Sequence, residues 1–149
     1  MELDEIDIKI LEVLKRNSKL SYRELGKKLL MPVTTVHHRI RKLEKNGVIK
    51  NYSLVIDNKK LGRTISSYIL LKVDYSSLKH MNLSQQQLAR KIKNNQNVED
   101  IALITGLKDI IIKVRCSSIE ELNNLINKDL RNLQGIKSTE TLIVLDELD

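Results

Sequence analysis

Between residues 33 and 45 the sequence VTTVHHRIRKLEK mixes two threonines, two histidines and four cations with evenly spaced aliphatics. At about 100° per residue of helix, Val33, Val36, Ile40 and Leu43 share one narrow arc. Thr34, His38, Arg41, Lys42 and Lys45 then lie opposite, with Thr35, His37 and Arg39 at the edges. Short hydroxyls and imidazoles that both donate and accept, set among guanidinium and ammonium groups, can hydrogen-bond base edges and pair with phosphates. His37 and His38 are adjacent, so their rings point about 100° apart and do not converge on one metal ion. The bland alternative is a solvated helix face. It is weakened by the bunching of cations and by the short link to the preceding helix.

The elements that must position this face come first in the chain. Leu3, Ile6, Ile10 and Leu14, with Leu11 and Val13 beside them, recur at helical spacing, and Asp4 is placed to cap that helix. After the break NSK, Ser21 and Glu24 form a Ser-x-x-Glu capping box, which predicts a second helix to about Leu29. Pro32 suits the first turn of a third helix, where its missing N–H costs nothing. Gly47 is a C-cap candidate, and VIKNYSLVI beyond it has the pattern of a small hairpin. Three helices and a hairpin make a winged helix-turn-helix, whose third helix enters the major groove of double-stranded DNA.

Charge supports that placement. Of the net +7, residues 1–62 hold 14 Lys and Arg against 8 Asp and Glu, while residues 63–149 hold 12 against 11. A polyanion partner selects for such a confined basic patch. The 41% hydrophobic content is enough to bury a core. No run approaches the roughly 18 apolar residues of a membrane span, and the acidic opening MELDEIDIKI is unlike a secretory leader, so no membrane association and a cytoplasmic location are expected. The single cysteine, Cys116, is expected as a small core residue, and no metal or other cofactor is expected.

From about residue 66 the pattern changes. Residues 66–74, 98–105, 109–116 and 138–146 are rich in β-branched and aliphatic residues and predict strands. Capping boxes at Ser84/Gln87 and Ser118/Glu121 predict two intervening helices, the first packing through Leu88 and Ile92, the second through Ile119, Leu122, Leu125, Ile126 and Leu130. The order βαββαβ is the ferredoxin-like split unit, so the fold class is α+β. The expected domains are a winged helix-turn-helix at 1–57, a linker at 58–65 and the ferredoxin-like domain at 66–149. Several strands are apolar on both faces, Leu70 beside Leu71 and Ile111 beside Ile112. Two helices cover only one face of such a sheet, and a second copy covers the other most economically, which predicts a homodimer. A dimer with two reading heads fits a pseudo-palindromic DNA site.

Over almost its whole length the chain resembles the Lrp/AsnC, or feast/famine, regulators. The resemblance rests on LDEIDIKILEVLKRN, SYRELGKKL, TTVHHRIRKLEKNGVI and ITGLKDIIIKV, which are similar to the family's three head helices with the wing start and to its sensor turn. It implies a sequence-specific, DNA-binding transcriptional regulator, a homodimer that assembles into octamers or other multimers and often binds an amino-acid effector between dimers. By position it puts Ser21, Tyr22 and Arg23 near phosphates and Thr34, Thr35, His38 and Arg39 at the groove, joining His37, Arg41 and Lys42 as DNA-binding candidates.

The implied effector site is Thr105, Gly106, Leu107, Lys108 and Asp109 with Thr139 and Thr141. The Gly106 backbone would receive a carboxylate, Asp109 an ammonium, and the threonines would close the pocket from a neighbouring subunit. TGLKD is equally suited to a plain β-turn in which Asp109 bonds its own turn. Three positions depart from the family pattern. Leu30 stands where Gly is common in the turn between helices two and three, which predicts a looser turn, Pro32 stands where a Ser or Thr cap is common but is compatible with a helix start, and Lys108 stands where an acidic or aromatic residue is common. Similar folds include sirohaem decarboxylases, but the second half offers one histidine, His80, and no Trp or Phe, so an enzyme is not expected. An architectural DNA-binding protein is the other alternative.

Overall fold

The computed structural model describes residues 2–147, and the chain divides between Ile56 and Asp57 into two compact units. The first holds helices α1 (Glu5–Arg16), α2 (Tyr22–Leu29) and α3 (Val33–Lys45). Asp4 caps α1 by accepting from the N–H groups of Ile6 and Asp7, while the Asp7 side chain returns to the Asp4 N–H. Ser21 and Glu24 close the expected box on α2. The core is Ile10, Leu14, Leu25, Val36, Ile40 and Leu43. The apolar arc of α3 is thus buried except at its first member, since Val33 in the opening turn stays 45% exposed.

The turn between α2 and α3 is tight, against expectation. Leu30 adopts the left-handed conformation (φ 53°, ψ 45°) with its side chain 92% exposed, at a cost of about 1–2 kcal/mol for a residue with a Cβ. The Met31 N–H then donates to the Gly26 carbonyl at 2.8 Å. Gly26 permits this approach, because a Cβ there would sit 2.8 Å from the Met31 carbonyl oxygen.

The expected hairpin in residues 48–56 does not form. Gly47 (φ 70°) reverses the chain, the N–H groups of Val48 and Ile49 return to the Leu43 carbonyl at 2.9 and 3.2 Å, and residues 50–56 belong to no strand. Ile49 packs on the helical core, whereas Leu54 and Val55 are 84% and 105% exposed. With only one apolar run seated on a surface, the second has nothing to pair over.

The second unit is a four-stranded antiparallel sheet in the order β2-β3-β1-β4, with β1 Ile65–Val73, β2 Val98–Leu103, β3 Ile110–Cys116 and β4 Ile136–Ile143. Residues 58–65 lie in this unit, closing turns such as Arg63 N–H to Asn58 carbonyl at 2.9 Å before β1 begins. The first connection contains two helices where one was expected: α4 (Tyr75–His80), capped by Asp74, and α5 (Gln85–Lys93). Six residues are too few for a helical period to show in sequence. The second connection is α6 (Ile119–Asn124) running into a π-helical turn at Leu125–Leu130, and Ile119, expected to pack, is instead 55% exposed in the first turn of α6.

Register resolves the two-sided strands. Ile69 pairs with Ile112 and Thr141, and Leu70 with Ile111 and Glu140. Ile69, Leu71, Val73, Ile110, Ile112 and Val114 are buried with Leu78, Leu88, Ile92, Leu122, Leu125 and Leu130 of the helical layer. The opposite face carries Tyr68, Leu70, Ile111 and Leu142, with Leu70 and Ile111 half-buried and Tyr68 and Leu142 exposed.

Candidate functional site

Burying Val36, Ile40 and Leu43 turns the other side of α3 outward. Thr34, His38, Arg41, Lys42 and Lys45 are exposed, and Thr35 and His37 half-buried. His37 meets the Tyr22 ring edge-on at 5.0 Å, and the His38 ring follows at 5.8 Å. Tyr22 and Arg23 open α2 and are exposed, so the start of α2 and the free face of α3 flank each other. The Ser21 hydroxyl is committed to the cap, 2.7 Å from Glu24 Oε2. Beyond α3, the Tyr52 hydroxyl donates to Glu44 at 2.8 Å, and burial first, with Glu44 second, pushes its pKa up to about 12.

Arg39 departs from the groove-facing placement implied by resemblance. Its Nη1 lies 2.7 and 2.8 Å from the two Asp4 carboxylate oxygens and 2.8 Å from Asp7 Oδ1, so it turns to the start of α1. These contacts hold the Asp4 carboxyl below the ordinary carboxylate pKa, the Arg39 hydrogen bond being the largest cause. Asp4 and Asp7 were legible only as a cap and an acidic opening, because their partner stands 32 to 35 residues away.

In the second unit, residues 105–109 join β2 to β3. Thr105, Gly106 and Leu107 are exposed, Gly106 has φ 112°, and Lys108 Nζ pairs with Glu140 of β4 at 3.1 Å. Asp109 is only 8% exposed. Its carboxylate accepts from the Val73 N–H at 2.8 Å, the Tyr75 hydroxyl at 3.2 Å and Lys72 Nζ at 3.3 Å. Its N–H donates to the Leu71 carbonyl at 2.9 Å. The side chain therefore braces β1 and α4 rather than its own turn, and the Val73 N–H above all holds its pKa below the ordinary value. Thr139 and Thr141 pair with Leu71 and Ile69, which places them on the helix side of β4, where Arg131 Nε donates to Thr139 at 3.2 Å. Within one chain the threonines and Glu140, the partner of Lys108, thus occupy opposite faces of the same strand.

Comparison with known proteins matches both units. Residues 3–50 match the model for winged helix-turn-helix DNA-binding domains, and residues 68–149 match the model for the Lrp/AsnC ligand binding domain. The chain belongs to the Lrp/AsnC family of DNA-binding transcriptional regulators. An uncharacterized HTH-type transcriptional regulator of Pyrococcus abyssi is 35% identical over 97% of this chain and 93% of its own. The structure of Bacillus subtilis LrpC superposes with a TM-score of 0.85 at 34% identity, covering 100% of this chain and 99% of that one. A Neisseria meningitidis transcriptional regulator solved as an L-Met complex shares the fold, with a TM-score of 0.90 at 20% identity over 99% and 93% of the two chains. The Lrp/AsnC assignment thus spans the α3 face and the sensor turn alike. Among the described residues no helix is long and apolar enough to cross a membrane.

Proposed function

We propose that this Lrp/AsnC regulator binds double-stranded DNA sequence-specifically as a homodimer in the cytoplasm, with no catalytic role. The N-terminal half of α3 lies in the major groove, Thr34, Thr35 and His38 reach base edges, and Tyr22, Arg23, His37, Arg41 and Lys42 serve phosphates, with the start of α2 at Ser21 against the backbone. The observation that carries this reading is the exposed row of Thr34, His38, Arg41 and Lys42 on a helix pinned by the burial of Val36, Ile40 and Leu43 on its opposite face. The apolar open face of the sheet is the dimer surface, and dimers assemble further into octamers or another closed multimer. An amino acid is the effector class, held at residues 105–109 and closed by Thr139 and Thr141 of a neighbouring copy. Its carboxylate would meet the Gly106 backbone, while Asp109, proposed from sequence to meet the ammonium, has its carboxylate taken up by Val73, Tyr75 and Lys72 and would serve the site by holding the turn.

The test is selection of bound sites from random DNA, repeated with each of the twenty amino acids. Thr35→Ala and His38→Ala should each cost about 1–3 kcal/mol on the preferred site and relax preference at one base position. Lys42→Ala should weaken all sequences alike and reduce the salt slope of log K by about 0.9. Equal affinity for selected and random DNA would favour an architectural role, and no amino-acid binding at millimolar concentration would remove the effector assignment.

A further inference from the structure

The Arg39 cluster is asymmetric in a way that matters for reading DNA. One nitrogen, Nη1, makes all the contacts to Asp4 and Asp7. The carboxylates it meets are already the capping box of α1: Asp4 Oδ1 also accepts from the N–H groups of Ile6 and Asp7, and Asp7 Oδ2 from the Asp4 N–H. Two carboxylates against one guanidinium leave the cluster with a local charge of about −1, which repels a phosphate. Turning Arg39 toward DNA would also strand Asp7, whose side chain is 5% exposed, without a cationic partner. Thr35 lies one turn before Arg39 and Lys42 about one turn after it, and these residues line one notch together with Asp4 and His38.

Resting on the DNA-reading proposal above, we infer that Arg39 is a positioning residue, not a DNA contact: it locks the rotation of α3 against the start of α1 and so aims Thr35 and His38. A base contact by Arg39 would be felt at one position of the site and a phosphate contact in the salt dependence. A positioning role is felt at every position that α3 reads, with the electrostatics unchanged.

The experiment measures the full-length chain on its preferred duplex, on each single-base variant and on random duplex, across a salt series below the melting temperature. Arg39→Met should lower affinity for the preferred site about tenfold, flatten preference at several α3-read positions together, and leave the salt slope within about 0.2 of wild type. Asp7→Asn should reproduce that flattening, although removing a negative charge would strengthen a simple phosphate contact. Arg39→Lys should recover most of the preference, since one nitrogen with several protons makes all the contacts, and Asp7→Asn carries the test if Arg39→Met fails to fold. A slope reduced by about 0.9 in Arg39→Met, a loss confined to one base pair, or tighter binding with unchanged preference in Asp7→Asn overturns the inference while the DNA-reading proposal stands. A wild type without sequence preference defeats both.

Discussion

Ile111 and Ile112 are neighbours of the same type whose replacement by Asp should have opposite consequences. Ile112 is fully buried under the helices, so Ile112→Asp loses about 2–5 kcal/mol of packing and also buries a carboxylate. Together these approach the whole stability of about 5–15 kcal/mol, and the second unit should not fold. Ile111 is half-buried on the open face opposite Leu70 and Ala102, where a carboxylate in an isolated chain stays hydrated. In a face-to-face dimer the substitution enters twice by symmetry. At about 3 kcal/mol for each desolvated, unpaired carboxylate, the interface loses about 6 kcal/mol, a roughly 10⁴-fold weaker dimer. Analytical ultracentrifugation at micromolar concentration, paired with circular-dichroism melts, should show folded Ile111→Asp monomers and unfolded or insoluble Ile112→Asp. An Ile111→Asp protein that sediments like wild type would refute the assignment of the open face as the dimer surface.

Three further outcomes are expected. Leu30→Gly should stabilise the head by about 0.5–1 kcal/mol, the relief of left-handed strain exceeding the added flexibility of the unfolded chain. Gly26→Ala should destabilise it by about 1 kcal/mol, because crowding of the Met31 carbonyl outweighs the gain in helix propensity; denaturant midpoints check both. Asp109→Asn leaves one carbonyl oxygen for three donors and should cost about 1–3 kcal/mol in chemical denaturation, and an unchanged midpoint would mean the brace contributes nothing. Glu121, held chiefly by the Ser117 hydroxyl, and Glu147, held chiefly by Arg115, have pKa values lowered to about 2 from 4.5. A depressed carboxylate contributes stability that is complete above its unfolded pKa and is lost as pH falls through the folded one. The melting temperature of the second unit should therefore decline from pH 4.5 toward pH 2, less steeply in Glu147→Gln, and a flat profile would contradict these contacts.

Helix starts were legible because their chemistry is local. Asp4, Ser21, Ser84 and Ser118 each satisfy N–H groups two or three residues away, so four consecutive residues contain donor and acceptor alike. Even there the box at Ser118 is incomplete, because Glu121 accepts from Ser117, one residue too early, and from Asn97, 24 residues away. The short helix α4 carried no period to detect. The hairpin pattern in residues 48–56 was present in the letters but lacked a surface to fold over.

The sequence by itself determined the three helices of the basic head, the burial of Val36, Ile40 and Leu43 on α3 and the order of the four strands with the capped helices α5 and α6, since each depends on periodicity or capping within a few residues. Tertiary structure alone decided which of Leu70 and Leu71, or Ile111 and Ile112, meets the helices, because alternation names two faces without saying which is covered, and register across β1, β3 and β4 supplies the answer. It also decided that Arg39 serves α1 and that Asp109 braces β1 and α4. Those partners lie 32 to 37 residues away, and a side chain's charge specifies what it will pair with but not which distant backbone the fold brings within reach.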